Sequence, residues 1–297
     1  DNSTNISGVS SVTATTYYGS GASLTGIDAA PQVKVNASGA ISAGDPVIAN
    51  TDGTVSSISE TIVAKDAPTI SAIANFGTYW AWDIVSCFDP VTKTIVVAYN
   101  RPSGGNWNGR ARAATVADDG TLTWGTEVEL TINADESNAS INIVWDSTNN
   151  RFVCFYRDED DSYYGKCKVG SLSGNTITLG TEINVSGTVG LAWQARSNDM
   201  VFDPDTGKVI FTYVDNSQNG PAYYRVGTVS GLNVTFGTAA TIDSDGKSGS
   251  ITYDTQNDKV VYASRRTGSN GLRVYVGTVN GGASSITWGT PVDVETT

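Results

Sequence analysis

Four copies of one sequence unit run through the last two-thirds of this chain, and a chain built that way must bury its apolar residues by stacking unit on unit. Each unit opens on an aspartate turn, at Phe88-Asp89-Pro90, Trp145-Asp146-Ser147, Phe202-Asp203-Pro204 and Tyr253-Asp254-Thr255. Each closes on a hydrophobic residue followed by Gly-Thr, at Trp124-Gly125-Thr126, Leu179-Gly180-Thr181, Phe236-Gly237-Thr238 and Trp288-Gly289-Thr290. The aspartates fall 57, 57 and 51 residues apart. A period of roughly 50 residues made of short strands belongs to propellers and similar arrays.

Within each unit the apolar alternation predicts four strands. They are 81–87, 94–99, 110–116 and 122–130 in the first unit, and 140–145, 151–156, 164–169 and 177–185 in the second. The third gives 199–202, 209–214, 223–229 and 234–242, and the fourth 249–253, 260–264, 272–279 and 286–294. Four antiparallel strands per repeat make a propeller blade, and no segment carries a capped helical period. The expected fold is all-β: a four-repeat β-propeller-like domain over 76–297, preceded by a small β module over 1–75. In that module 32–35 alternates as a short strand, and 45–55 reads as strand, tight Asn-Thr-Asp-Gly turn and strand. Asp1 to Ser11 reads as a polar arm. The chain opens at Asp1 rather than Met, read as a processed or trimmed start, and shows no signal peptide.

Composition removes whole classes of activity. There is no histidine among 297 residues, which excludes Ser-His-Asp and Cys-His catalysis and histidine zinc sites. A formal charge of −12 opposes binding to nucleic acid or to anionic membranes. No apolar run approaches the roughly 18 residues of a membrane-spanning helix, so membrane insertion is not expected. Charged residues make up only 16%, so Ser, Thr, Asn and Gly must cover the surface, as suits an extracellular or virion protein. No cofactor or metal site is indicated.

The repeated residues have structural roles first. Aspartate in the turn accepts hydrogen bonds from backbone two residues on, and a glycine such as Gly207 supplies φ > 0. The aromatic before Gly-Thr is expected to pack between blades. Tyr99, Tyr156 and Tyr213 recur in second strands as packing residues. Asp158-Glu159-Asp160-Asp161 lacks an EF-hand pattern and reads as an exposed acidic turn, with calcium as the alternative. Cys154 and Cys167 face a common hairpin, either as two buried thiols or as a cross-strand disulfide, with Cys87 left over. Glycosylation-type triplets stand at Asn2, Asn5, Asn36, Asn138, Asn184 and Asn233.

The third unit reads Met200-Val201-Phe202-Asp203, Gly207-Lys208-Val209, Val226-Gly227-Thr228-Val229-Ser230-Gly231 and Val234-Thr235-Phe236-Gly237-Thr238. The fourth repeats it with Val276-Gly277-Thr278-Val279-Asn280-Gly281 and Ile286-Thr287-Trp288-Gly289-Thr290-Pro291-Val292. This pattern resembles the β-propeller-like repeats of bacteriophage tail-fibre and other virion structural proteins. Thr15-Thr16-Tyr17-Tyr18-Gly19-Ser20-Gly21 and Gly44-Asp45-Pro46-Val47-Ile48 are similar to segments that precede such repeats. The resemblance implies a structural role and transfers no catalytic residue. Four blades can close a ring, or leave an open array for a neighbouring subunit to complete.

The first expectation is therefore a non-enzymatic subunit of an extracellular fibre, filament or virion appendage that self-assembles, its N-terminal arm adding a strand to a neighbour. The alternative is a carbohydrate- or receptor-binding module for cell-surface glycans. Its residues would come from the loops at 101–109, 158–163, 215–221 and 265–271: Trp107, Tyr163 and Arg266, with Trp193 nearby. Exposed aromatics can stack on sugar rings while polar side chains bind hydroxyls. Catalysis is not expected. Ala117-Asp118-Asp119-Gly120-Thr121-Leu122-Thr123-Trp124 loosely resembles the Asp-box turn of sialidases, but no spacing singles out the paired acids that glycoside hydrolysis needs.

Overall fold

The computed structural model describes residues 35–42, 47–57, 80–103, 106–131, 141–192, 198–215, 221–266 and 271–294. The chain divides into two units, Asp1–Thr69 and Ile70–Thr297. In the first, β1 (Val47–Ala49) pairs antiparallel with β2 (Val55–Ser57), and Ala37 bridges Val55 in parallel. The Asn-Thr-Asp-Gly turn forms as its sequence dictates. The Gly53 amide donates to Asn50 O at 3.1 Å, Gly53 takes φ 83°, and the Thr54 amide donates to Asp52 Oδ1 at 3.0 Å. The expected arm at Asp1 to Ser11, and residues 32–34 of the expected strand, lie outside the described residues.

The second unit is a β-propeller of four blades. Blade 1 holds β3 (Trp82–Asp89), β4 (Thr94–Ser103), β5 (Asn106–Val116), β6 (Leu122–Trp124) and β7 (Val128–Thr131). Blade 2 holds β8 (Asn142–Asp146), β9 (Arg151–Asp158), β10 (Tyr164–Ser173), β11 (Thr176–Leu179) and β12 (Ile183–Asn184). Blade 3 holds β13 (Asn198–Asp203), β14 (Lys208–Val214), β15 (Ala222–Ser230), β16 (Asn233–Phe236) and β17 (Ala240–Asp243). Blade 4 holds β18 (Gly246–Asp254), β19 (Lys259–Arg266), β20 (Leu272–Asn280), β21 (Ser285–Trp288) and β22 (Val292–Asp293). Each blade is one antiparallel meander, and its last two segments both pair with its third strand.

Here the expectation of four unbroken strands is corrected: the fourth is split in every blade at the Gly-Thr step. The glycine amide keeps its ladder bond, Gly125 to Ala113 O and Gly180 to Val169 O at 2.8 Å each. The chain then steps off the ladder and returns after three residues. In the first three blades the step also lays the glycine against the next blade. A Cβ on Gly125 would fall onto the carbonyl of Asn175, in the turn before β11, and one on Gly180 onto that of Leu232, in the turn before β16. The turn of each following blade thus occupies the space a side chain would fill.

The aspartate turns are built as the sequence predicts. Asp146 Oδ1 accepts from the Thr148 and Asn149 amides at 2.9 and 3.0 Å. Asp203 Oδ1 accepts from Asp205 at 2.9 Å, and Asp254 Oδ1 from Gln256 at 2.9 Å. The fourth residue after each aspartate has positive φ: Lys93 53°, Asn150 53°, Gly207 64° and Asp258 54°. Only one of these four positions therefore uses glycine.

Three apolar cores lie between successive blades rather than inside any one. Val96, Ala98 and Leu130 of blade 1 meet Phe152, Cys154 and Tyr156 of blade 2. Val153, Phe155 and Cys167 meet Val209, Phe211 and Tyr213 of blade 3, with Phe155 and Phe211 ring centroids 4.2 Å apart. Val226 and Tyr224 meet Val260 and Tyr262 of blade 4. Across that last interface Tyr224 Oη accepts from the Ile286 amide and donates to Ile286 O, both at 3.1 Å. Leu179, Phe236 and Trp288 pack between blades as expected of the residue before Gly-Thr, whereas Trp124 lies under the Arg112 guanidinium, 5.8 Å from its ring centroid.

The cysteine pairing follows from one step of register. Cys167 stands opposite Phe155, and Cys154 opposite Lys168. Residues one step apart point to opposite faces of a sheet, so Cys154 enters the core shared with blade 1 and Cys167 the core shared with blade 3. All three cysteines are free thiols.

Candidate functional site

The tip of the β4–β5 hairpin and the start of β3 together carry an aromatic cluster. The sequence reading placed Trp107 on a loop at 101–109, but β4 and β5 stay paired to their tip, with Arg101 opposite Asn108, Pro102 opposite Trp107 and Ser103 opposite Asn106. Trp107 is therefore held on a strand. A bulge in β3 brings a second indole to it. Trp82 pairs with Asn100 while Val85 pairs with Ala98, leaving one extra residue between them, and Asp83 takes φ 49°. That extra residue turns Trp82 onto the face it would otherwise miss. The two indoles meet edge to face, centroids 5.7 Å apart and planes at 69°. Trp82 is 50% exposed and neighbouring Trp80 77% exposed. Asn100, itself fully buried, donates from Nδ2 to Asp83 Oδ2 at 3.3 Å and so anchors the carboxylate that follows Trp82.

The other expected residues do not join this pair. Tyr163 closes the β9–β10 turn at φ 61°. Its ring lies 4.3 Å beneath the buried Arg157 guanidinium, and its Oη reaches Glu159 Oε1 at 3.5 Å. Burial holds the Arg157 guanidinium below its usual range, opposed by Tyr163 and Glu159. Tyr163 thus covers a buried cation. Arg266 ends β19, and its nitrogens stand 3.7 Å from Asp245 and from Asp293, the latter also clamped by Arg273 at 2.6 and 3.0 Å. Among the described residues no contact joins Trp107, Tyr163 and Arg266, and Trp193 lies outside them.

The acidic turn is closed on itself. The Asp160 and Asp161 amides donate to Asp158 Oδ1 at 3.1 and 3.3 Å, and Lys166 pairs with Asp161. Among the described residues no cluster of Cys, Asp and Glu has metal-site geometry. Of the glycosylation-type asparagines, Asn36, Asn184 and Asn233 are exposed, while Asn2, Asn5 and Asn138 lie outside the described residues. Asn184 is built into a turn: its Nδ2 donates to Gly187 O and its Oδ1 accepts from the Gly187 amide, and Ser186 Oγ donates to Val189 O at 2.6 Å.

A cavity of about 230 Å³ runs where the first strands of all four blades converge, lined by Asp83, Val85, Asn142, Asn198, Asp199 and Ser250 among others. Its polar groups are engaged in joining blades. Asn142 Nδ2 donates to Asn198 Oδ1 at 3.1 Å, and Asp199 Oδ2 accepts from Ser250 Oγ at 2.5 Å and from the Ile251 amide at 3.0 Å.

A second polar device, missed in the sequence, joins Tyr99 and Tyr156 to the residue after Gly-Thr. Tyr99 Oη donates to Glu127 Oε2 at 2.5 Å, and Tyr156 Oη to Glu182 Oε2 at 2.6 Å. Burial, then the neighbouring carboxylate, pushes both phenols well above their usual range. The signal was present as Gly-Thr-Glu in the first two units, against Gly-Thr-Ala and Gly-Thr-Pro in the others.

No family model and no curated protein matches this chain. Among solved structures it is similar to a candidate 6-phosphogluconolactonase from Bacteroides uniformis at 12% identity and TM-score 0.47, with 84% of this chain and 65% of that one covered. A candidate 6-phosphogluconolactonase from Bacteroides fragilis gives 10% identity and TM-score 0.46, with 84% and 64% covered. The Aleuria aurantia lectin in complex with α-methyl-L-fucoside gives 14% identity and TM-score 0.41, with 69% and 58% covered. The chain thus spans just under two-thirds of the length of these two candidate lactonases. Two of these three are candidate enzymes, so the expectation that the chain is no enzyme is corrected: the lack of histidine excludes particular mechanisms, and proteins of similar fold include candidate catalysts. At these identities the likeness concerns fold alone and assigns this chain no reaction. The chain is a protein of the β-propeller fold.

Proposed function

We propose that the propeller is a carbohydrate-binding module whose contact is the Trp82–Trp107 ledge, with cell-surface glycans as its partners in an extracellular setting. The observation that carries this reading is the indole pair on paired strands, Trp82 half-exposed and Trp107 partly buried against it, with the Asp83 carboxylate next to Trp82 in the chain. An aromatic face offers the C–H side of a pyranose ring a large apolar contact at little conformational cost, while a carboxylate next to it, that of the partly exposed Asp83, accepts from hydroxyls. A sparsely charged surface supports recognition of neutral sugars over polyanions. The test is a glycan array with the native protein and with Trp107→Ala, followed by titration of any hit. Binding weakened at least tenfold by Trp107→Ala, as loss of one stacking ring implies at about 1.4 kcal/mol, supports the reading. An array without hits, or hits indifferent to Trp107 and Trp82, overturns it.

A further inference from the structure

The three interfaces between blades obey one rule, and among the described residues the two halves of a fourth stay exposed. Call the side of each blade turned to its predecessor the leading face, and the side turned to its successor the trailing face. Leading faces of blades 2, 3 and 4 pack Trp145, Phe202 and Tyr253, each just before the turn aspartate and each partly buried, against the preceding blade. The matching residue of blade 1, Phe88, is 47% exposed. The trailing face of blade 1 buries Ala113 and Leu130 completely. The matching residues of blade 4, Val276 and Val294, are 46% and 56% exposed, and Val292 beside them is 64% exposed. Among the described residues the first strands pack in the order β3, β8, β13, β18, and no comparable packing joins β18 back to β3.

The glycine and cation positions repeat the same asymmetry. Turns from the next blade crowd Gly125, Gly180 and Gly237. At Gly289 the nearest atom to an added Cβ is Val276 O of its own blade, at 3.4 Å. Lys168 Nζ donates across an interface to Leu130 O at 2.5 Å, and Arg225 Nη1 to Val185 O at 2.6 Å. Leu130 and Val185 each stand five residues after their Gly-Thr glycine, as Val294 does in blade 4. Arg112 holds the corresponding position in blade 1, opposite Val97. Its Nε is anchored on Gly125 O at 2.6 Å, as Arg225 Nε is on Gly237 O at 3.0 Å.

We infer that the trailing face of blade 4 docks on the leading face of blade 1 of a second copy of this chain. The occupant follows from the three interior interfaces, since each trailing face is covered by a leading face of this same repeat. The contact is heterologous, so it propagates head to tail into a ring or a filament. In it Gly289 receives the turn around Asp119 and Gly120, and the Arg112 guanidinium faces the Val294 carbonyl of the neighbouring copy. The inference is independent of glycan binding.

The test is sedimentation velocity of the full chain from micromolar to millimolar concentration, with Phe88→Glu and Val276→Glu, one charge on each exposed face. The native chain is expected to assemble with rising concentration, and each variant to stay monomeric. An equimolar mixture of the two variants should give a heterodimer and nothing larger, because each retains the face the other has lost. Gly289→Ala, whose Cβ meets only ordinary contact within the chain, should weaken assembly at least tenfold and guards against misfolding of either glutamate variant. A native chain monomeric at millimolar concentration, a variant that assembles like the native chain, or a mixture that stays monomeric overturns the inference. Faces covered by further blades of one longer polypeptide, or by its N-terminal unit, would give the first of these results.

Discussion

Gly180→Ala and Gly289→Ala place the same added methyl at the same position of two blades, and their consequences should diverge. At Gly180 the new Cβ would lie 3.0 Å from both the carbonyl carbon and the Cβ of Leu232, and closer still to its oxygen. The obstacle is backbone in a turn whose neighbour Gly231 already sits at φ 61°, so no side-chain rotation relieves it. Blade 3 must shift outward, opening the core that holds Phe155, Val209 and Phe211. Overpacking of this kind costs about 1–3 kcal/mol, and the backbone obstacle puts Gly180→Ala at the upper end. For a domain of this size that is a fall in Tm of roughly 6–12 °C. At Gly289 the methyl would meet Val276 O at 3.4 Å, and the lost freedom of the unfolded chain should raise stability by about 0.4–1 kcal/mol. Differential scanning calorimetry of both variants at low concentration is the assay. Equal losses would show that the glycine serves the conformation of its own strand, and would refute the role given to the next blade's turn.

Two further outcomes follow from burial. Cys87 has its thiol pushed up to about 12, first by burial and then by Asp89, and burial raises Cys154 and Cys167 further; the native protein should react with a thiol reagent at pH 8 far more slowly than the denatured chain, which should titrate three thiols. Burial raises the phenols of Tyr99 and Tyr156 and lifts Tyr213 to about 12. Because these folded values exceed the unfolded value of about 10, the stability they contribute is complete below pH 10 and is lost as pH rises through the folded values; phenolate absorbance from these residues should appear together with unfolding rather than before it.

What the sequence disclosed and what it hid divide along one physical line. The aspartate turns were legible because each is closed by bonds within four residues, such as those from Thr148 and Asn149 to Asp146. The four-strand rhythm was legible because alternation is local. The broken fourth strand was not, and the crowding that leaves no room for a side chain at Gly180 comes from Leu232, 52 residues away. Trp82 was missed as a partner of Trp107 because a single bulged residue decides its face. Tyr163 and Arg266 looked like ligand contacts by residue type, yet they cover Arg157 and bridge Asp245 to Asp293. Phe88 and Val276 look like core residues in the sequence, and only their place in the terminal blades leaves them exposed.

Hydrogen exchange across the four blades, measured at a concentration low enough to keep copies apart, tests the repeated-interface architecture most directly. In a stack with two uncovered ends, interior repeats are held from both sides and terminal repeats from one. Amides of β9 and β14 should therefore exchange slowest, and those of β3 and β20 fastest, with the ends gaining protection as concentration rises. Uniform protection across all four blades at high dilution would mean that blade 4 closes on blade 1 within a single chain, and would contradict the open array.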